Sequence, residues 1–175
     1  MKTFCLPVLL VMFSIPVKSF SQDTINWRPG YKLSWKDFKA KPDMQSSYAA
    51  ITDCTVTYSF GYSNNLLNYQ VFSFFNKNKS WSKSTNDTAL LLHEQGHFDI
   101  NEIFTRKLKK AFNAYKLNEA TVSEDLRAIF NKIWQEKIAF DMLYDQETDH
   151  SKNKTQQAGW NKKIADELSR LSAFE

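Results

Sequence analysis

Cysteine is nearly missing from this chain, with two residues in 175, Cys5 and Cys54. Cys5 lies inside an N-terminal stretch that reads as a cleavable export signal, so the mature chain would keep Cys54 alone. An internal disulfide is then excluded, and so is a zinc site built on thiolates. Long hydrophobic runs are missing too. The apolar stretch from Phe4 to Val17 is shorter than the ~20 residues a spanning helix needs, and Pro7 and Pro16 interrupt it. Charge of one sign is not in large excess either: the formal net charge is +4, and losing Lys2 and Lys18 with the signal, and no acid, leaves +2. Such a balance calls for no nucleic acid and no anionic membrane as partner. Internal repeats, low-complexity segments and linkers are absent as well. About 150 mature residues therefore read as one domain with a real core.

What is present begins with Met1-Lys2-Thr3, the apolar run, and then Lys18-Ser19-Phe20-Ser21. A basic start, a short hydrophobic centre and small residues at Ser19 and Ser21 predict an export signal over residues 1–21, cleaved near Ser21. The expected product is a secreted or periplasmic protein whose single domain covers residues 22–175. Pro29-Gly30 marks a turn, and Leu33 and Trp35 alternate with polar neighbours like a short strand. Period-two alternation over Ile51, Cys54, Val56, Tyr58 and Phe60, a turn at Ser63-Asn64-Asn65, and Leu67 to Phe75 predict a hairpin, with the Leu33 to Phe38 segment as its third strand.

Helical spacing follows. Asn86 or Asp87 can cap a helix from Thr88 to about Lys116. Thr121 and Glu124 fit a capping box for a second helix running to about Tyr144, with Leu126, Ile129, Phe130, Ile133, Phe140 and Leu143 on one face. A third, from about Gln156, carries Trp160, Ile164, Leu168 and Leu171 at core spacing. The fold class is thus α+β: a small antiparallel sheet, a long helix, an antiparallel second helix and a C-terminal helix.

Histidine is scarce, only three residues, yet two of them stand in His93-Glu94-Gln95-Gly96-His97 inside the first long helix. Residues four apart share a helix face, so His93 and His97 can offer two imidazole nitrogens to one ion. Glu94, about 100° further round, falls beside the ion's open position, where it can take a proton from a water. The bland alternative, histidines on a solvated or satisfied face, has to explain why two of only three fall at this spacing. Gly96 is costly in mid-helix, by up to about 1 kcal/mol relative to alanine, and suggests the close approach of another segment.

A catalytic zinc takes three protein ligands and leaves a fourth position open. The extended pattern H-E-x-x-H-x-x-G-x-x-H fails, because Ile100 and Ile103 hold its glycine and final histidine positions. Glu119 and Glu124 lie roughly 25 to 30 Å away along the helix, out of range. The second helix runs back over a similar length and returns its C-terminal end, Tyr144 to His150, to the level of the histidine pair. His150 is the expected third ligand there, with Asp145, Glu147 and Asp149 as alternatives. Asp145 or Asp149 could instead orient a ligand imidazole. Tyr144 is the candidate oxyanion donor, with core packing as its other reading. Arg106 reads as half of a structural ion pair.

Leu33 to Phe38, Ala49-Ala50-Ile51-Thr52, His93 to Ile100, and Tyr144-Asp145 with Thr148 and His150 together resemble bacterial proteins grouped under domain of unknown function 922 and described as predicted secreted zinc-dependent proteases. That resemblance implies a zincin-like fold, one zinc ion on His93, His97 and His150, and Glu94 as catalytic base. The expected function is a metallopeptidase acting on a peptide or protein substrate. The rival readings are a zinc-binding or interaction protein without turnover, and a zinc hydrolase of a non-peptide or cell-wall amide.

Overall fold

The computed structural model describes residues 23–175, so the expected export signal lies outside the described residues. The architecture is α+β: a small antiparallel sheet and three helices. β1 (Thr24–Asn26), β2 (Ala50–Ile51), β3 (Cys54–Ser63), β4 (Leu66–Asn76) and β5 (Trp81–Ser82) precede α1 (Thr88–Ala114), α2 (Val122–Thr148) and α3 (Lys154–Arg170). No described helix is long and apolar enough to cross a membrane.

β3 and β4 form the expected hairpin, in register from Cys54 opposite Phe75 to Ser63 opposite Leu66. Its two-residue turn, Asn64-Asn65, takes positive φ at both positions. That is the type I′ geometry whose twist matches the strands, and asparagine tolerates it better than most residues. The alternation then turns Val56, Tyr58 and Phe60 with Leu67, Tyr69 and Val71 onto α1 and α2, where they meet Leu108, Phe112 and Leu126. The strand pattern read from Ile51 onwards is two strands in fact. β2 pairs with β5 in a separate two-stranded sheet, and between β2 and β3 the Asp53 N–H leaves the ladder to donate to Ser80 Oγ at 2.9 Å.

The third strand of the main sheet corrects the sequence reading. It is β1, with Ile25 opposite Phe75, whereas Leu33 to Phe38 is no strand: Trp35–Asp37 is one turn of 3-10 helix. Ser34 and Asp37 close that turn on each other, Asp37 Oδ2 accepting from the Ser34 N–H and hydroxyl at 2.9 and 2.8 Å. Leu33 and Phe38 pack with Ile25, Phe75 and Phe98, so alternation there reflects burial without strand pairing.

α1 starts where Asp87 accepts from the Leu90 N–H at 2.9 Å and runs through the middle of the molecule, between the sheet and the other two helices. Phe98, Ile100, Ile103, Phe104, Leu108 and Phe112 are almost fully buried. Leu92, on the same helix, is 46 % exposed. α2 comes back antiparallel from a start that differs from the expected capping box: Thr121 Oγ1 donates to Asp125 Oδ2 at 2.7 Å, one turn on, and Glu124 takes no part. It also runs one turn further than expected, to Thr148. α3 then packs Trp160 and Ile164 onto Ile100, Ile103 and Tyr144, closing the core behind α1.

Candidate metal centre

The first half of α1 buries polar side chains, which a core helix does only when something receives them. His93, Glu94 and Gln95 are 2, 4 and 5 % exposed. Gln95 is received by structure: its Oε1 accepts from the Leu33 N–H at 2.8 Å, and its Nε2 donates to Asp99, which also accepts from Trp27 Nε1. His93, Glu94 and His97 point the other way, into a cleft of about 500 Å³. The wall opposite α1 is the segment Ser47 to Thr52, which contains β2, and the end of α2 closes it with Asp145 and His150.

Each α1 histidine is gripped on its Nδ1 side. His97 Nδ1 lies 3.0 Å from Asp141 Oδ1, and Lys137 holds the other oxygen of that carboxylate at 2.6 Å. His93 Nδ1 lies 3.1 Å from Gln157 Oε1. The Gln157 amide nitrogen donates to Tyr144 Oη at 2.7 Å and to Asn161 Oδ1 at 2.9 Å, which leaves its oxygen facing the histidine. A carboxylate and an amide oxygen only accept, so both Nδ1 atoms must be donors. Both Nε2 atoms then face the cleft, and both meet the same atom. Asp145 Oδ1 is 3.0 Å from His93 Nε2 and 2.9 Å from His97 Nε2. Lone pair faces lone pair across these gaps unless positive charge, a proton or a cation, sits there. Burial alone would lower the His97 pKa, but Asp141 and Asp145 override it and hold it at about 10. Burial would raise Asp145, yet its bonds to His93 and His97 pull it well below the usual carboxylate range, and His97 with Lys137 lowers Asp141 likewise.

The cleft contains two polar groups without partners. Glu94 makes no hydrogen bond or ion pair with any described residue although the residue is only 4 % exposed. The Thr52 hydroxyl is likewise buried and unpaired.

His150, the expected third ligand, does reach this place, with Nδ1 3.6 Å from Asp145 Oδ1. α2 ends in a Schellman turn, His150 N–H bonding Asp145 O and Asp149 N–H bonding Gln146 O. Asp149, His150 and Ser151 all take positive φ, at 45, 48 and 80°. That is the left-handed region, which costs a non-glycine residue of order 1 kcal/mol or more. The turn folds the imidazole back over Asp145 and against Tyr48, at 5.8 Å between ring centres. The other candidates are elsewhere: Glu147 accepts from Trp160 Nε1 on α3, and Asp149 is exposed beside Lys152.

Tyr144 is fully buried beneath the site. Its ring stacks on His93, 4.5 Å between centres and 12° from parallel. Its hydroxyl donates to the His93 carbonyl at 3.0 Å and accepts from Gln157, so its one proton is committed. The placement is that of a packing group, the other reading given by the sequence. It also accounts for Gly96: a Cβ there would sit 2.7 Å from Tyr144 Cζ and closer still to its oxygen. Sequence reasoning missed Asp141, Gln157 and Tyr48. A signal for the first existed, since Asp141 and Asp145 repeat on α2 the four-residue spacing of His93 and His97 on the antiparallel α1.

A family model described as "Bacterial protein of unknown function (DUF922)" matches residues 30–151, more than half of the chain and all of α1 and α2. No curated protein and no solved structure matches the chain.

Proposed function

The chain belongs to this DUF922 family of bacterial proteins of unknown function, and from that premise we propose that it is a secreted, zinc-dependent peptidase. The observation that carries the proposal is Glu94, a buried residue whose carboxylate has no hydrogen bond or ion pair with any described residue, beside two imidazoles whose Nε2 atoms converge on the cleft. A structural carboxylate at that depth would be paired. One kept bare and facing a cleft is suited to moving a proton.

The donor set fits a single ion. Two imidazoles and a carboxylate are the nitrogen and oxygen ligands that zinc accepts, and Asp141 and Gln157 supply the outer hydrogen bonds that ligating histidines ordinarily have. His93 and His97 would hold the ion, with the remaining donor from the end of α2, where Asp145 and His150 face the cleft. A bound divalent ion would supply Lewis acidity toward a scissile carbonyl and lower the pKa of a water.

The chain's own residues supply the rest. Glu94 takes a proton from a water in the cleft onto its carboxylate and returns it to the leaving amine. β2 is paired with β5 along one edge only, so an extended peptide can add along its other edge and pass over Glu94. Tyr144 holds His93 flat from beneath, and the unpaired Thr52 hydroxyl offers a hydrogen bond to the bound chain.

Metal analysis of the purified protein, beside a broad peptide-library digest with and without chelator, tests this reading. The expected result is about one zinc per chain and cleavage that stops on chelation and returns with zinc. A metal-containing protein that leaves every peptide intact would overturn the peptidase assignment.

A further inference from the structure

We propose that Asp145 is the third metal ligand and that His150 is a fourth, exchangeable donor that closes the site when it binds; this rests on the reading of the cleft as a metal centre. Donors at the corners of a tetrahedron around one zinc, each about 2.0 to 2.1 Å from it, stand about 3.3 Å apart. Asp145 Oδ1 is 3.0 Å from His93 Nε2, 2.9 Å from His97 Nε2 and 3.6 Å from His150 Nδ1. That oxygen is at or near ligand-to-ligand spacing from all three imidazoles; the donor atoms of His93, Asp145 and His150 lie within 4.8 Å of one another, and His97 joins them through its contact with the same oxygen. A shared cation in place of a proton would turn both Nε2–Oδ1 contacts into coordination.

The difference between Asp145 and His150 lies in how they are held. Asp145 sits in the hydrogen-bonded last turns of α2, while His150 lies past the helix end on three successive left-handed residues and its side chain is 48 % exposed. A ligating histidine normally has a partner on its second nitrogen. His93 and His97 do, in Gln157 and Asp141. The His150 ring touches Tyr48 and has no such acceptor among the described residues. Two histidines and Asp145 leave one coordination position open for water or substrate; His150 in that position makes a closed, four-ligand site. The turn at residues 149–151 would then control access to the ion.

Zinc and cobalt(II) are the probes, titrated into the metal-stripped full chain and its variants. Asp145→Asn and Asp145→Ala should weaken zinc binding by more than about 100-fold, and His150→Ala by less than about 10-fold. His150→Ala should also change the cobalt(II) visible spectrum, because water replaces an imidazole. Circular dichroism checks that the variants are folded. Zinc affinity lost in His150→Ala as fully as in Asp145→Asn overturns the assignment, as does wild-type affinity in a folded Asp145→Asn. The His150→Ala result decides even if both Asp145 variants unfold. His93→Ala binding zinc like the wild type would instead sink the metal centre itself, and the proposed function with it.

Discussion

Two glutamates on α1, Glu94 and Glu102, are buried to the same depth, 4 and 5 % exposed, and have opposite surroundings. Glu102 accepts from Arg106 Nε at 2.9 Å. Arg106 in turn donates to the Leu168 carbonyl at 2.8 Å, pairs with Glu175 at 3.0 Å and lies over the Trp27 ring. That is the structural ion pair read from the sequence, extended so that it ties α1 to the C-terminal end of the chain. Glu94, two turns earlier, has no hydrogen bond or ion pair with any described residue, and its charge acts on His97 across the cleft. Taking a carboxylate out of water costs several kcal/mol unless a counter-charge compensates. One helix thus shows what a buried acid looks like when it holds the fold together and what it looks like when it does not, and the second kind stands where the cleft opens.

The sharpest way to break this contrast is to neutralise each acid in turn. Glu94→Gln should lower kcat by about 10² to 10⁴ while keeping its zinc. Its Tm should not fall, because an unpaired charge is being removed; an unchanged turnover number would dispose of Glu94 as the base. Glu102→Ala should do the reverse, leaving Arg106 under-compensated at a cost of about 3 to 5 kcal/mol in denaturant unfolding, with catalysis per folded molecule intact. A wild-type melting curve for that variant would empty the comparison.

Gly96→Ala separates propensity from packing. Helix propensity alone would stabilise the variant by up to about 1 kcal/mol. The collision with Tyr144 reverses that sign, to a loss of about 1 to 3 kcal/mol. Since Tyr144 carries His93 on its face, bound zinc should fall with stability, and a stabilised Gly96→Ala protein would contradict the packing described. Asp141→Asn keeps the shape of the acceptor on His97 but drops its charge, and zinc affinity measured by competition should weaken about 10- to 100-fold.

The smallest effect expected is on the pH dependence of the metal-stripped protein. His97 is raised from its ordinary 6.5 to about 10 in the folded state, so its contribution is complete below 6.5 and fades as pH climbs through 10. Asp141 and Asp145 are lowered from 3.8, so theirs is complete above that value and fades as pH falls below it. Tm of the stripped protein should therefore be highest between about pH 4 and 6.5. Zinc replaces protons on the histidines, so the loaded protein should lose stability toward acid and keep it toward pH 9, and calorimetry in two buffers should register proton release on binding. Identical pH profiles with and without zinc would argue that these groups do not share an ion.

Much of this was legible in the sequence because it rests on period and local chemistry. Alternation from Val56 to Phe75 specified the hairpin, helical spacing specified three helices, and the length of α2 brought Asp145 and His150 to the level of His93. Local reading failed where a short pattern has two physical causes. Leu33 and Trp35 alternate because Leu33 is buried with Phe75 and Trp35 packs on Phe38, not because a strand pairs there. Thr121 had Glu124 and Asp125 within reach and took the second.

The order of elements, the helix that carries His93, Glu94 and His97, and the face they share follow from the chain alone, since a four-residue spacing has one meaning on a helix. Which groups stand opposite them is a matter of how α1, α2 and α3 pack. Asp141 behind His97, Gln157 behind His93 and Asp145 between both rings are contacts across 44 to 64 positions of sequence. Hydrogen bonds of that reach leave no periodic trace, because any polar residue on the right turn could have made them.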